Sequence, residues 1–405
     1  MRLLHTSDWH LGCSLFGRKR YEEQLTFLEW LIELVRDERI DILLVSGDVF
    51  DSSSPSNRAQ ELYYNFLHLV NLTDCRHVVI IGGNHDSPTL LNAPGELLKY
   101  LNIHVVGCMT DSAEDEVLLL KDDAGKAQLF VCAVPFLRER DLRFVESGES
   151  IANKEEKLIA GIKKHYQDVF THSFSLAQKL PVIAMGHLFA KGASLSDGEA
   201  VRDLYIGNLA QVADSVFPKE LSYIALGHLH RQQSVGKRAN CRYSGSPIPL
   251  SFKEAESDKQ VLIVDIKGAK ATIKAVKVPQ TVKLVQIDGD WDEINRVLES
   301  LLTESLPCWL DINYTGFDLR SDLKQDVLDL IEDSDIELLR LRNERITQKA
   351  LSRQKLEETL DDLDPQEVFK RCLERHKIEA PLAKELCACY NEVLQSLADR
   401  DANAE

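Results

Sequence analysis

No stretch of this 405-residue chain approaches the roughly 20 consecutive apolar residues that a membrane-spanning helix needs. Cysteine is present without a pattern. The nine cysteines are scattered, and the one close pair, Cys387 and Cys389, has neither zinc-ribbon nor redox CxxC spacing. They read as reduced and mostly buried thiols of a cytoplasmic protein. The first motif begins at Arg2, so no cleaved leader is expected. Positive charge is also scarce: a formal net charge of −17 argues against a surface built for general phosphate-backbone affinity. Three small basic clusters remain (Arg18-Lys19-Arg20; Arg138, Arg140 and Arg143; Arg231, Lys237 and Arg238), and each alone reads as solvated surface. Internal repeats and low-complexity tracts are absent.

One kind of local sentence is present five times. His77 to Asp86, HVVIIGGNHD, runs four β-branched residues into two glycines and then into an amide, an imidazole and a carboxylate. Such a run suits a strand covered on both faces. Polar groups of that kind are costly to bury unless they bind something or each other. RLLHTSDWH (2–10), DILLVSGDVFD (41–51), PVIAMGH (181–187) and SYIALGHLH (222–230) repeat the pattern, and in four of the five a glycine stands immediately before the ligand-type residue. In α/β architectures the carboxyl ends of neighbouring strands share one edge of the sheet, so Asp8, His10, Asp48, Asn84, His187, His228 and His230 are expected in one pocket.

The length accommodates a large domain of about 250 residues plus smaller ones. Tyr21–Arg36 carries apolar residues at helical spacing, and residues 57–72, 93–101 and 153–178 read as further helices. Two strands are expected within 115–136, and strands alone after His230. Lys191 to Arg202 reads as a mobile loop. Residues 1–280 thus form a first domain. Residues 281–343 alternate strand, helix, strand, helix, strand without strand-end ligands, which suggests a small α+β capping domain. Residues 344–405 form a charged helical tail whose Asp364-Pro365-Gln366-Glu367 is a helix start and whose apolar faces suit a docking partner or the cap itself. On the 57–72 helix, Leu62, Tyr63, Phe66, Leu67 and Val70 are apolar over more breadth than a covering helix needs, which leaves two readings: a homodimer contact, or simple packing on the sheet.

Oxygen and nitrogen donors without thiolates suit Mn²⁺, Fe²⁺, Zn²⁺ or Mg²⁺. Seven are too many for one ion and right for two that share a carboxylate, the arrangement that serves in-line displacement at phosphorus. A lone Asp-x-His or His-x-His occurs often by chance, and His187 by itself would be a satisfied core histidine. The histidines at 5, 68, 77, 104, 165 and 376 read as structural or surface residues. GDVFD and GGNHD are more specific, and five such strand ends in order make coincidence a poor account.

The order DWH, GDVFD, GNHD, GH, GHLH resembles the calcineurin-like metallophosphoesterase superfamily. The continuations LHTSDWHLG, VSGDVFDSSSPS, GGNHDS, VPFLRERD, AVRDLYIG and YSGSPIPLSF resemble, within it, the nuclease subunits of bacterial complexes that contain a coiled-coil ATPase. That resemblance implies a four-layer α/β/β/α sandwich with a cap and helical tail. It also implies a Mn²⁺-dependent DNA exonuclease and endonuclease, a homodimer, and an ATPase partner. By motif, Asp8, His10 and His230 would hold one metal, Asn84, His187 and His228 the other, and Asp48 would bridge. His85 would meet the phosphate or the leaving group, with the Asp51 carboxylate beside it fixing its tautomer. A phosphatase or cyclic-nucleotide phosphodiesterase on the same site, and a non-catalytic scaffold, are the competing functions.

Overall fold

The computed structural model describes residues 1–142, 151–193, 212–316 and 322–343, together with 366, 369–370, 372–373, 382–384 and 386–391. The chain divides into two compact units, Met1–Thr281 and Val282–Glu405. In chain order the first carries β1 (Arg2–Thr6), α1 (Tyr21–Asp37), β2 (Ile42–Ser46), α2 (Asn57–Asn71), β3 (His77–Ile81), β4 (Ile103–Val106), β5 (Val117–Lys121) and β6 (Ala127–Ala133). Then come α3 (Ile151–Ala177), β7 (Val182–His187), β8 (Tyr223–Gly227), β9 (Gln233–Val235), β10 (Arg238–Tyr243), β11 (Gln260–Lys267) and β12 (Lys270–Lys277). Where one helix is expected over 93–101, two short ones form at Pro88–Asn92 and Gly95–Lys99, on either side of Ala93 and Pro94.

These strands make two six-stranded sheets, ordered β12-β11-β1-β2-β3-β4 and β9-β10-β8-β7-β6-β5. In the first, β1, β2, β3 and β4 pair in parallel. In the second, β6, β7, β8 and β10 do the same. The continuous apolar run of β3 follows from this packing. Val79 and Ile81 face the other sheet with Leu44, Ile183, Met185 and Ala225, whereas Val78 and Ile80 face outward onto α1 and α2 with Phe27, Leu31 and Leu67. The far side of the second sheet is covered by α3 through Leu158, Ile162, Tyr166 and Phe170. The layers are therefore helix, sheet, sheet, helix. Each fully buried Val, Leu or Ile contributes about 1.5–3 kcal/mol, and this double-sided core offsets the cost of polar groups at the strand ends.

Helix α2 begins where Ser56 accepts a hydrogen bond from the Ala59 amide, a cap that stabilises by about 1 kcal/mol. Its five apolar residues settle the choice between docking face and packing. Leu62, Tyr63, Phe66, Leu67 and Val70 are all buried in the core under the first sheet. The extra breadth has a local cause: the Phe66 ring meets Trp9 edge-on at 5.1 Å and the Tyr63 ring meets Phe50 at 5.3 Å, so α2 braces the loops that follow β1 and β2. The three basic clusters are not simply solvated surface, because each contributes one residue to the framework. Arg20 is buried against Glu23 at 2.6 Å, Arg138 is buried on the Asp86 carbonyl at 2.9 Å, and Arg238 donates to the Phe217 and Pro218 carbonyls.

The second unit holds a parallel sheet of β13 (Lys283–Gly289), β14 (Cys308–Tyr314) and β15 (Ile336–Asn343), with α4 (Trp291–Leu301) and α5 (Leu323–Leu330) in the connections. Ile294, Leu298, Leu301, Leu310, Ile312 and Val327 form its core. Most of the expected tail, 344–405, lies outside the described residues, as does most of the expected 191–202 loop. Within the tail, the Phe369 and Tyr390 rings stack at 4.1 Å and 7°.

Candidate metal centre

The loops leaving β1, β2 and β3 are stitched to one another by main-chain bonds. The Asp8 amide donates to the Gly47 carbonyl at 2.9 Å and the His10 amide to the Asp48 carbonyl at 3.0 Å. The buried Asp86 carboxylate then accepts from the amides of Val49, Phe50 and Gly83 at 3.1, 2.9 and 2.9 Å. Four donor residues have left-handed backbone: Asp8 (φ 54°), His10 (46°), Asp48 (50°) and His228 (99°). Each such residue costs on the order of 1–3 kcal/mol and persists only where its surroundings over-determine it, a pattern that gathers at functional sites. The glycines before the donors have a steric reason. A Cβ on Gly83 would run into the side chain and amide of Asp48, and one on Gly227 into the Ser46 carbonyl. Side-chain-free positions let strand ends approach one another, within the first sheet at Gly83 and between the two sheets at Gly227.

Into this cradle the side chains converge. Asp8, His10 and His230 offer ligand atoms all within 4.8 Å of one another, as do Asp8, Asp48 and His187, and as do His10, Asp51 and His85. Asp48 Oδ2 lies 3.3 Å from His187 Nε2 and 3.6 Å from His10 Nε2, which puts Asp48 between the two sides. Asn84 Oδ1 lies 2.9 Å from His187 Nε2 and 3.0 Å from His228 Nδ1. Asp8, His10, Asp48, His187, His228 and His230 are buried and Asn84 is half-buried.

The electrostatics are those of a site short of positive charge. Burial raises the Asp8 carboxyl to about 6. Burial also works against charge on Asp48, but the facing imidazoles of His187 and His85 outweigh it and hold that carboxyl well below its usual range. His187 is the complement: burial opposes its charge, Asp48 and Asp8 outweigh burial, and its imidazole rises to about 9. Burial drives His10 down to about 4 and His228 to about 3. Both ring nitrogens of His10 are buried without a well-formed hydrogen bond. A neutral imidazole keeps one lone-pair nitrogen, and a buried His10 with no proton donor to that nitrogen, beside the buried carboxylates of Asp8 and Asp48, fits a divalent cation.

All nine residues singled out in the sequence come together here, with one rearrangement. His85 Nδ1 meets Asp51 through the main-chain carbonyl, at 2.9 Å, and the Asp51 carboxylate stands 3.3 Å from His10 Nδ1. A carbonyl only accepts, so it fixes the proton on His85 Nδ1 as well as the expected carboxylate would. Three of the other histidines find partners elsewhere: His5 at the Tyr223 hydroxyl at 2.9 Å, His77 at the Lys121 carbonyl at 2.7 Å and His165 at the Glu116 carboxylate at 2.8 Å, while His376 lies outside the described residues. Four further participants were given no role in the sequence reading. Asp86 ties the loops, Ser7 and Ser244 bond each other at 2.7 Å while Ser7 also donates to Asp8, and Glu254 lies 3.2 Å from His230 Nδ1. Burial opposes the charge on Glu254, and Lys259 and His230 outweigh it, so its carboxyl sits well below the usual range.

A sandwich whose strand ends deliver buried carboxylates, an amide and imidazoles to one divalent-metal cluster defines the metallophosphoesterase class. A family model described as calcineurin-like phosphoesterase matches residues 1–232, and one described as the type 5 capsule protein repressor C-terminal domain matches 280–377. Relatives named as the SbcD component of the SbcCD nuclease are similar over long spans. The Escherichia coli protein is 36% identical over 403 residues, 98% of this chain and 99% of its own length. The Rhodobacter capsulatus protein is 37% identical over 294 residues, 71% of each chain. That of Bacillus subtilis is 36% identical over 323 residues, 77% of this chain and 78% of the relative. The chain belongs to the calcineurin-like phosphoesterase family, in its SbcD branch.

Proposed function

We propose that this chain is a metal-dependent DNA nuclease, hydrolysing phosphodiester bonds as a double-strand exonuclease and a single-strand and hairpin endonuclease. The observation that carries the reading is the convergence of Asp8, His10, Asp48, Asn84, His187, His228 and His230 in a chain similar along nearly its whole length to a named nuclease component. Asp8, His10 and His230 would hold one ion, Asn84, His187 and His228 a second, and Asp48 would serve both. Mn²⁺ suits the mixed oxygen and nitrogen donors. Divalent ions in such a site supply Lewis-acid polarisation of a phosphate and a nucleophile at neutral pH. The chain's own residues do the rest. The bond from His85 Nδ1 to the Asp51 carbonyl leaves Nε2 as the nitrogen that would meet the substrate, and from the imidazolium form Nε2 would pass its proton to the leaving oxygen while Nδ1 keeps its own. Asp48 accepts from the His85 amide at 2.9 Å, so the carboxylate assigned to both ions also fixes the backbone of the acid.

By the same kinship the chain would act as a homodimer with the SbcC ATPase in DNA end processing, recombination and repair, in the cytoplasm. The 281–343 unit would cap the site and the 344–405 tail would dock the ATPase. Cleavage of labelled linear and hairpin DNA with Mn²⁺, with and without SbcC and ATP, tests the activity. Turnover of mononucleotides with intact DNA would overturn it. Removal of 344–405 is expected to leave Mn²⁺-dependent cutting of single strands while abolishing co-purification with SbcC. Unchanged co-purification would place the docking site elsewhere.

A further inference from the structure

Glu254 has no motif and no assigned role, yet it is 6% exposed and its carboxylate is saturated with donors. Oε1 faces His230 Nδ1 at 3.2 Å. Oε2 accepts from Lys259 Nζ at 2.7 Å, the Leu250 amide at 3.1 Å and the Ser246 hydroxyl at 3.2 Å. Lys259 is itself buried and also donates to the His230 carbonyl at 3.1 Å and to Ser246 Oγ at 2.8 Å, so one ammonium grips both the carboxylate and the backbone of the histidine it faces. The loop between them is pinned from the other side: buried Arg20, paired with Glu23, donates to the Pro249 carbonyl. A buried Lys–Glu pair gains little net stability over apolar residues of the same volume, so its retention beside a donor histidine asks for another reason.

We propose that Glu254 is a positioning residue for the metal centre: by accepting the Nδ1 proton of His230 it fixes the tautomer that leaves Nε2 as a lone-pair donor on the side of Asp8 and His10. The inference rests on the reading of His230 as a metal ligand. A carboxylate can only accept, so the proton must sit on Nδ1, and Lys259 with Ser246 and the Leu250 amide fixes the direction from which Glu254 approaches. Partners of this kind behind a metal-binding imidazole set ring orientation and basicity, and their loss costs about 10–100-fold in metal affinity.

Two measurements on the full chain test it. In the metal-free wild type, nitrogen-15 spectra of labelled histidine are expected to show His230 protonated on Nδ1; a proton on Nε2 would overturn the proposal without any variant. Calorimetric titration with Mn²⁺ is then run on wild type, on Glu254→Gln, and on the apolar pair Glu254→Leu with Lys259→Met. The apolar pair is expected to lose about 10–100-fold at one of two binding events and to let the His230 proton move. Glu254→Gln, whose amide oxygen still accepts, is expected to keep the tautomer and most of the affinity. A wild type that takes up no Mn²⁺ would sink the metal reading and this proposal together. A wild type that binds both ions, beside an apolar pair that binds them equally well, would sink the proposal alone.

Discussion

Both units of the chain bury a carboxylate on a parallel strand system, and they neutralise it differently. In the small unit, Asp311 of β14 is held by Arg340 at 2.9 and 2.7 Å and by Arg342 at 3.3 Å, both from the adjacent β15. Two permanent cations from the neighbouring strand complete it, and the fork of Arg340 matches its two oxygens. In the large unit, Asp48 is faced by imidazoles, whose charge depends on a proton and whose nitrogens can equally serve a metal. Backbone geometry follows the same division: left-handed residues gather at Asp8, His10, Asp48 and His228, whereas Asp311 stays within a strand, next to a register shift between Leu310 and Asp311. A carboxylate closed by guanidinium is architecture. One left to imidazoles, His10 among them with no hydrogen-bond partner at its ring nitrogens, is prepared for a cation.

The largest break in this comparison is Asp48→Asn. An amide in place of the carboxylate facing both histidine groups is expected to abolish hydrolysis and to disturb two Mn²⁺ binding events at once, whereas Asn84→Ala weakens mainly one. Two undisturbed events in a titration of the Asp48 variant would show that it does not serve both sides. Next comes His85→Gln. With His85 outside the proposed donor set, the variant is expected to keep metal and DNA binding and to lose on the order of 10²–10⁴ in rate, the scale of acid-base assistance. Loss of bound metal instead would make His85 a ligand.

Asp51→Asn sharpens the same site by a smaller step. Its contact to His85 is through the main-chain carbonyl, which the substitution leaves in place, so the rate is expected to fall by at least tenfold less than in His85→Gln, an order-of-magnitude estimate on the same acid-base scale. Equal losses in the two variants would return the tautomer-fixing role to the Asp51 carboxylate. Comparison of single-turnover rates at saturating Mn²⁺ decides it.

That contact also marks where the sequence stops being readable. The strand-end donors were legible because apolar run, glycine and donor are adjacent in the chain, and parallel pairing then brings them to one edge without further information. The small unit's alternation was legible from local periodicity, whereas the layer order was expected only from the family resemblance. At Asp51 the residue type advertises a carboxylate, which lies within 4.8 Å of the His10 and His85 donor atoms, but it does not announce the main-chain carbonyl that meets His85 Nδ1. The stripe on α2 had two readings because apolar breadth does not tell what it covers, here Trp9 and Phe50 of the donor loops. Glu254 was invisible because SFKEAES has the composition of a surface turn, and only the fold brings Lys259 and His230 to it.

The smallest expected effect belongs to the closed carboxylate. Asp311→Leu removes the acceptor while leaving Arg340 and Arg342, whose side chains are 37% and 41% exposed and can turn to water. The variant therefore loses charge-assisted hydrogen bonds but strands no buried cation, and the cost is expected at about 1–3 kcal/mol. Arg340→Met is the harsher partner change, because Asp311 stays buried with the weaker contact of Arg342 alone, and breaking such a pair from one side costs more than replacing its centre. Denaturant unfolding with the two variants side by side measures the order. Both are expected to bind Mn²⁺ and to cut single-stranded DNA at wild-type rates, because Asp311 and its arginines join β14 to β15 and supply none of the proposed donors. Metal affinity that fell with Asp311→Leu would mean that the closed carboxylate also supports the centre, and the contrast between architecture and prepared site would fail at that residue.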